Sequence, residues 1–347
     1  MNENKLFLAS SPHFKLKITT PMIMGTVLFA LLPECIFGVV TFGVKALVTI
    51  LVSVFSCVIF EWLFQLATKQ KVTINNLSAC VSGVMLALVL PSTIPVWMVV
   101  LGAAVAMIVA KGLFGGIGSN VFNPALAGRA FLFISFPAAM GARWFNPGVK
   151  DGIDAISSAT ILSFIKNGTV SALDFDFATY FFGNHAGCIG ETSILLILIS
   201  FVILLVCHII DWRAPVAMVG TVAVASFIAG LGKYSSIDGA FKEVLMNLVT
   251  GGLIFGATFM VTDYATSPVT KPGRLVFGAG CGLITFLIRY FGGYPEGVMF
   301  SILIMNTIVP FLNNLTVRKY GYGKKGNRRP DVEKISMEFD LSNAREI

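Results

Sequence analysis

Residues 72–142 read VTINNLSACVSGVMLALVLPSTIPVWMVVLGAAVAMIVAKGLFGGIGSNVFNPALAGRAFLFISFPAAMGA, and among them only Lys111 and Arg129 carry charge. No acid is present, so the stretch holds almost nothing that needs water. A helix crossing the roughly 30 Å hydrocarbon core of a bilayer takes about 20 mostly apolar residues, so about three such helices fit here. The rest of the chain agrees. Of its 347 residues, 56% are hydrophobic and 12% charged, about half the ~25% charge of ordinary soluble domains, and the mean hydropathy is +0.83. That composition excludes a soluble single-core protein and a disordered chain. The six cysteines, Cys35, Cys57, Cys80, Cys188, Cys207 and Cys281, show no CxxC or other metal-ligand spacing and mostly sit in apolar runs. They read as small core residues rather than a disulfide scaffold.

Along the whole chain, apolar segments suggest spans near 20–40, 46–66, 77–91, 94–113 and 121–140, then near 192–210, 213–231, 244–262, 274–291 and 296–314. The expected fold class is therefore an all-α integral membrane protein of about ten transmembrane helices. Its third span is short and runs into Pro91 and Pro95, which predicts a broken or re-entrant element. The net charge of +7 sorts onto one side under this count. Lys5, Lys15 and Lys17 precede the first span, Lys69 and Lys71 follow the second, and Lys271 and Arg274 follow the eighth. Arg318, Lys319, Lys324, Lys325, Arg328, Arg329, Lys334 and Arg345 fill the tail. By the positive-inside rule both termini are expected in the cytoplasm, which accounts for the basic excess without nucleic acid. The tail itself reads as a solvated end or as a contact for lipid headgroups or a partner. Residues 1–17 lack an apolar core and predict no cleavable signal.

The expected organisation is a cytoplasmic segment 1–19, a first membrane half 20–140, an outer loop 141–191, a second membrane half 192–314 and a basic cytoplasmic tail 315–347. LALVLP ending at Pro91 precedes Phe114-Gly115-Gly116 by the same interval that separates DYATSP, ending at Pro268, from Phe291-Gly292-Gly293. With an odd five spans per half, a repeat of this kind enters the membrane inverted. The alternative is coincidence among the glycine pairs common in membrane helices.

The outer loop is the one long connection, and loops of that length usually carry function or are disordered. It contains Asp154, Ser157, Ala159 and Thr160 in the order DAISSAT, followed by ILSFIKNG. Ser157 or Ser158 suits an N-cap and Gly168 a helix stop, so a short helix near 159–166 explains much of the pattern. Thr160 then falls in the first turn, where unpaired N–H groups and the helix dipole favour a phosphate.

At D-x-x-S-x-A-T the sequence resembles a motif at which a flavin transferase links FMN through its phosphate to the threonine. Three further segments, GSNVFNPALAGRAF at 118–131, GCIGETS at 187–193 and TFMVTDYATSPVT at 258–270, resemble the family containing the D subunit of the Rnf electron-transport complex. The B subunit of the sodium-translocating NADH:quinone reductase shares that family. The similarity runs from about residue 20 to 315, and the Rnf protein is the closer pattern because the longer N-terminal extension of its relative is missing. Thr262-Asp263-Tyr264 departs from the TDP often found there. The resemblance implies a prokaryotic inner-membrane protein carrying covalent FMN at Thr160. It would act within a complex that passes electrons between ferredoxin and NAD and moves sodium or protons. Implied partners are the other membrane subunits, including a second covalent-FMN subunit and iron–sulfur subunits, and a flavin transferase. A second, non-covalent flavin such as riboflavin is a further implied cofactor.

Other residues admit two readings each. Arg129, costly in lipid, must face protein; it contacts flavin phosphate or ring oxygens, or it ties backbone carbonyls at a broken helix. Asn123 before Pro124 touches the same ligand or caps the helix. Glu34, Glu61 and Asp263 line an ion path, or the first two reach opposite surfaces near their span ends. His13, His185 and His208 lack ligand spacing, so no metal is expected. A competing function of another class is an inverted-repeat transporter or channel without flavin, its site at the Pro91 and Pro268 breaks.

Overall fold

The computed structural model describes residues 19–141, 177–183, 185–292 and 296–316, and among them all regular structure is helical, with no strand. In chain order the elements are α1 (Thr20–Phe42), α2 (Val44–Ala67), α3 (Ser78–Leu88), α4 (Val96–Gly112), α5 (Pro124–Ser135) and the short α6 (Pro137–Gly141). The second part holds α7 (Phe177–Phe182), α8 (Ile194–Val206), α9 (Arg213–Tyr234), α10 (Ile237–Val249), α11 (Leu253–Met260), α12 (Lys271–Phe291) and α13 (Val298–Thr316).

The direction of amphipathicity places this bundle in lipid. Along α2 the buried stripe runs Thr49, Ser53, Cys57, Glu61, Gln65 at every fourth residue, while Phe55, Ile59 and Trp62 face outward. In water that arrangement would be inside out, because it exposes the apolar side chains and desolvates the polar ones. Surrounded by hydrocarbon it is the stable choice. α9 repeats it, burying Ser226 and Gly230 and exposing Val216, Val224 and Ile228.

Five helices, α1, α2, α9, α12 and α13, are long and apolar enough to cross a bilayer, and α10 with α11 makes a sixth if the pair is one span bent by 59°. The expected ten full-length spans are therefore not what the described residues contain. Four of the expected spans appear as shorter apolar helices: α3 has 11 residues, α5 has 12 and α8 has 13, while α4 ends in a π-helical turn. The cause is local. Proline at 91 and 95 leaves 89–95 without a helical ladder, and Asn123-Pro124 and Pro137 delimit α5. The offset of Pro91 from Pro268 carries α4 onto α12 and α5 onto α13 along the chain.

The core joins α1 to α3 and α8, α2 to α3 and α4, and α9 to α10 and α12, with α5 packed on α4 and α13. Gly83 lets α3 lie directly on α2, since a Cβ there would sit 2.7 Å from Val54 Cα; the Ser53 hydroxyl donates to Gly83 O at 2.7 Å across this contact.

Candidate functional site

Two polar centres are built into this apolar frame. The first surrounds a cavity of about 410 Å³ between the starts of α1, α3 and α5 and the ends of α4, α8 and α11, a size that small-molecule sites commonly have. Val27, Val81, Met85, Leu204 and Phe259 form apolar walls, and Ser78, Ser82, Asn120, Asn123, Thr262 and Asp263 place hydroxyl, amide and carboxyl groups at the rim. The π-helical turn Val105–Gly112 brings Lys111 into this lining. Such turns add a residue to the local repeat and so change which side chains face inward. The Lys111 ammonium donates to Glu61 Oε1 at 2.8 Å and to Ser78 Oγ at 2.7 Å, with both charged side chains almost wholly buried. Asn76 Oδ1 accepts from the Ser78 hydroxyl at 2.7 Å, and Gln65 Nε2 donates to Glu61 Oε1 at 3.4 Å. Asp263 accepts from Thr266 Oγ1 at 3.0 Å and from Ala265 N at 3.4 Å. Burial raises its carboxyl above the usual range, more than these bonds lower it.

The second centre lies at two interruptions of the bundle. Residues 188–190 run beside 88–91, with Gly190 N donating to Leu88 O at 2.8 Å and Ile189 N to Leu90 O at 3.2 Å. This sets Cys188 and Glu191 against α5, where Arg129 Nη1 lies 3.5 Å from Glu191 Oε1 and Nη2 lies 2.6 Å from Glu296 Oε2. Arg129 Nη2 is also 3.4 Å from Cys188 Sγ. Cys188, Glu191 and Glu296 bring one ligand-type atom each within 4.8 Å of one another, and the cation among them is this guanidinium. Burial, with Glu296 beside it, pushes the Glu191 carboxyl up to about 7 against the opposing pull of Arg129. Arg289 of α12 donates to the carbonyls of Asn247 at 2.5 Å, Thr250 at 2.9 Å and Gly251 at 3.1 Å. Asn247 O is one of the carbonyls that the last turn of α10 leaves without a helical partner, and Thr250 and Gly251 belong to the break that follows.

The structure thus separates residues that the sequence left as a set. Asn123 and Asp263 line one cavity, and Glu61 reaches its edge through Lys111. Asn123 also caps α5, accepting from Ala125 N at 3.0 Å and Leu126 N at 3.3 Å. Arg129 does not line the cavity and binds carboxylates, while the arginine holding backbone carbonyls at a broken helix is Arg289. Neither Glu34 nor Glu61 reaches a surface; they are 3% and 6% exposed. Glu34 packs beside Ser200 of α8, whose hydroxyl donates to Ala30 O at 2.7 Å. Thr160, Asp154, Ser157 and Ala159 lie outside the described residues. Sequence reasoning passed over Lys111, Arg289, Glu191 and Glu296 as site residues. For the two cations a signal existed, because a charge inside an apolar run needs an interior partner.

Residues 7–321 match the model of the NQR2, RnfD, RnfE family. The chain belongs to this family. Its similar relatives include the D subunit of the Na(+)-translocating ferredoxin:NAD(+) oxidoreductase complex of Acetobacterium woodii, 39% identical across 93% of this chain and 98% of the relative. The D subunit of the proton-translocating ferredoxin:NAD(+) oxidoreductase complex of Clostridium ljungdahlii is 38% identical across 91% and 96%. The D subunit of the ion-translocating oxidoreductase complex of Stutzerimonas stutzeri is 36% identical across 89% and 94%. Family membership spans both polar centres and all the long helices, so no part of the described architecture stands outside it.

Proposed function

We propose that this chain is the membrane-embedded D subunit of an Rnf-type ferredoxin:NAD oxidoreductase complex, coupling electron transfer to sodium or proton translocation, with FMN esterified through its phosphate to Thr160. The observation that carries this reading is similarity along nearly the whole chain to relatives bearing that name, joined to the order Asp154, Ser157, Ala159, Thr160. A flavin supplies stepwise electron transfer; the chain's part is to hold the ring and exclude water from it. The cavity beside Lys111 suits a second, non-covalent flavin such as riboflavin. Its apolar walls match a flat heteroaromatic ring, and Asn120, Asn123 and Ser78 offer the hydrogen-bonding groups that an imide edge and a ribityl chain require. Glu34, Glu61 and Asp263 are the candidates for the ion path.

In this reading the short helices complete ten crossings in two inverted halves, with both termini in the cytoplasm. The partners are the remaining membrane subunits, including a second covalent-FMN subunit and iron–sulfur subunits, together with the flavin transferase that loads Thr160. The deciding experiment is a denaturing gel of the chain co-expressed with that transferase and viewed under ultraviolet light. A fluorescent band that disappears in Thr160→Ala supports the assignment. A dark band from the wild-type chain with active transferase rejects it and favours a flavin-free transporter.

A further inference from the structure

The break between α10 and α11 leaves a helix C-terminus and a helix N-terminus facing the same buried region, and each end is met by a side chain of opposite charge. Arg289 takes the carbonyls of Asn247, Thr250 and Gly251 at the end of α10. At the head of α11 the carboxylate of Glu191 rests on Gly252, so closely that a Cβ on that glycine would fall on the carboxylate. Gly251 and Gly252 both have positive φ, 68° and 64°, which turns the chain there. A carboxylate beside a helix N-terminus is stabilised by the unpaired N–H groups and the dipole, as a guanidinium is at a C-terminus. In membrane proteins such half-helix ends hold substrates and ions. Here Arg289 bonds the carbonyls at one side of the break, and Glu191 packs against Gly252 at the other.

Glu191 does not come from a neighbouring helix. It closes the long connection 141–191, and the backbone just before it is fixed to the interruption after α3 through Leu88 O and Leu90 O. Arg129 of α5, in the first half of the chain, grips the same carboxylate and holds Glu296 of the second half with its other nitrogen. A displacement of residues 188–191 therefore bears on the contacts of Glu191 with Gly252 and with the Arg129 guanidinium. The head of α11 leads in turn to Phe259, Thr262 and Asp263, which line the cavity.

We infer that Glu191 is the positioning residue through which residues 188–191, at the end of the long connection, and the bent α10–α11 element are coupled, so that a change at one is transmitted to the other. This rests on the proposed attachment of FMN within the connection. In this role Glu191 neither binds flavin nor carries electrons; it links residues 188–191 to the broken element next to the polar cavity.

The test uses the whole complex in sealed vesicles, measuring ferredoxin-dependent NAD reduction and ion uptake together, with ultraviolet fluorescence of this chain's band as a loading control. Glu191→Gln removes the charge but keeps the shape, and Glu191→Asp keeps the carboxyl but draws it back from Gly252. Both variants are expected to keep electron transfer within about twofold while the ions moved per electron fall by about threefold or more, the scale on which single coupling residues act. Gly220→Ala, a helical position with open space around it, is expected to leave the ratio unchanged. An unchanged ratio in both variants, or a fall in electron transfer that parallels the fall in ion uptake, overturns the inference. Failure of the wild-type band to fluoresce would overturn the flavin reading instead, and the role given to Glu191 with it.

Discussion

Lys111 and Glu61 allow the sharpest test of the interior, because the pair is desolvated on both sides. The ammonium and carboxylate lie 2.8 Å apart with side chains 4% and 7% exposed, so removing one partner strands the other away from water. Lys111→Met should cost about 3–5 kcal/mol, the range for breaking a buried pair, with the lost donation to Ser78 contributing about 1 kcal/mol of that. Glu61→Gln should cost less than Lys111→Met, since a neutral amide still accepts from the ammonium. The double variant Glu61→Gln/Lys111→Met removes both charges, keeps an acceptor for Gln65 Nε2, and should recover most of the loss, within about 1 kcal/mol of wild type. The assay is SDS-driven unfolding of the purified chain in mixed micelles, followed by tryptophan fluorescence and arranged as a double-mutant cycle. A coupling energy of about 3 kcal/mol is the expected result. Additive single losses below about 1 kcal/mol would refute the reasoning, because they would mean that water reaches the pair.

Three further outcomes follow from local geometry. Gly83→Ala should destabilise the chain by about 1–3 kcal/mol, because the new methyl meets backbone at Val54 and not a side chain that can yield; Gly220→Ala should be neutral or stabilise by up to about 1 kcal/mol, and the same unfolding assay reads both. Asn123→Ala should cost about 1 kcal/mol through loss of the α5 cap and should weaken riboflavin binding measured by fluorescence quenching; unchanged stability would show that the cap contributes nothing. Burial alone would raise the Asp211 carboxyl, but the backbone N–H of Arg213 and the guanidinium groups of Arg274 and Arg213, each 2.8 Å away, outweigh it and hold it below the usual range. A lowered carboxyl stabilises the fold above its unfolded pKa and ceases to do so as pH falls through the lowered value. Asp211→Asn should therefore cost about 1 kcal/mol at pH 7, and the difference from wild type should vanish in strong acid.

Composition and hydropathy alone establish a helical membrane protein and most of its helical segments, since hydrocarbon leaves the backbone few alternatives. The N-cap at Asn123, the proline interruptions near 91 and the interior placement of Arg129 were legible because each follows from one residue's own chemistry. Span length was not. Whether α3 or α8 must be 20 residues long depends on what covers its ends, and protein can take the place of lipid there. Nor could spacing show that Lys111 finds Glu61, that Arg289 meets the end of α10, or that Glu191 lies on Gly252. Those partners stand far apart in the chain and come from segments with no local signal of mutual contact. The folded bundle was needed for them, because a buried charge dictates that it must have a partner, while the packing of all the helices together selects which one.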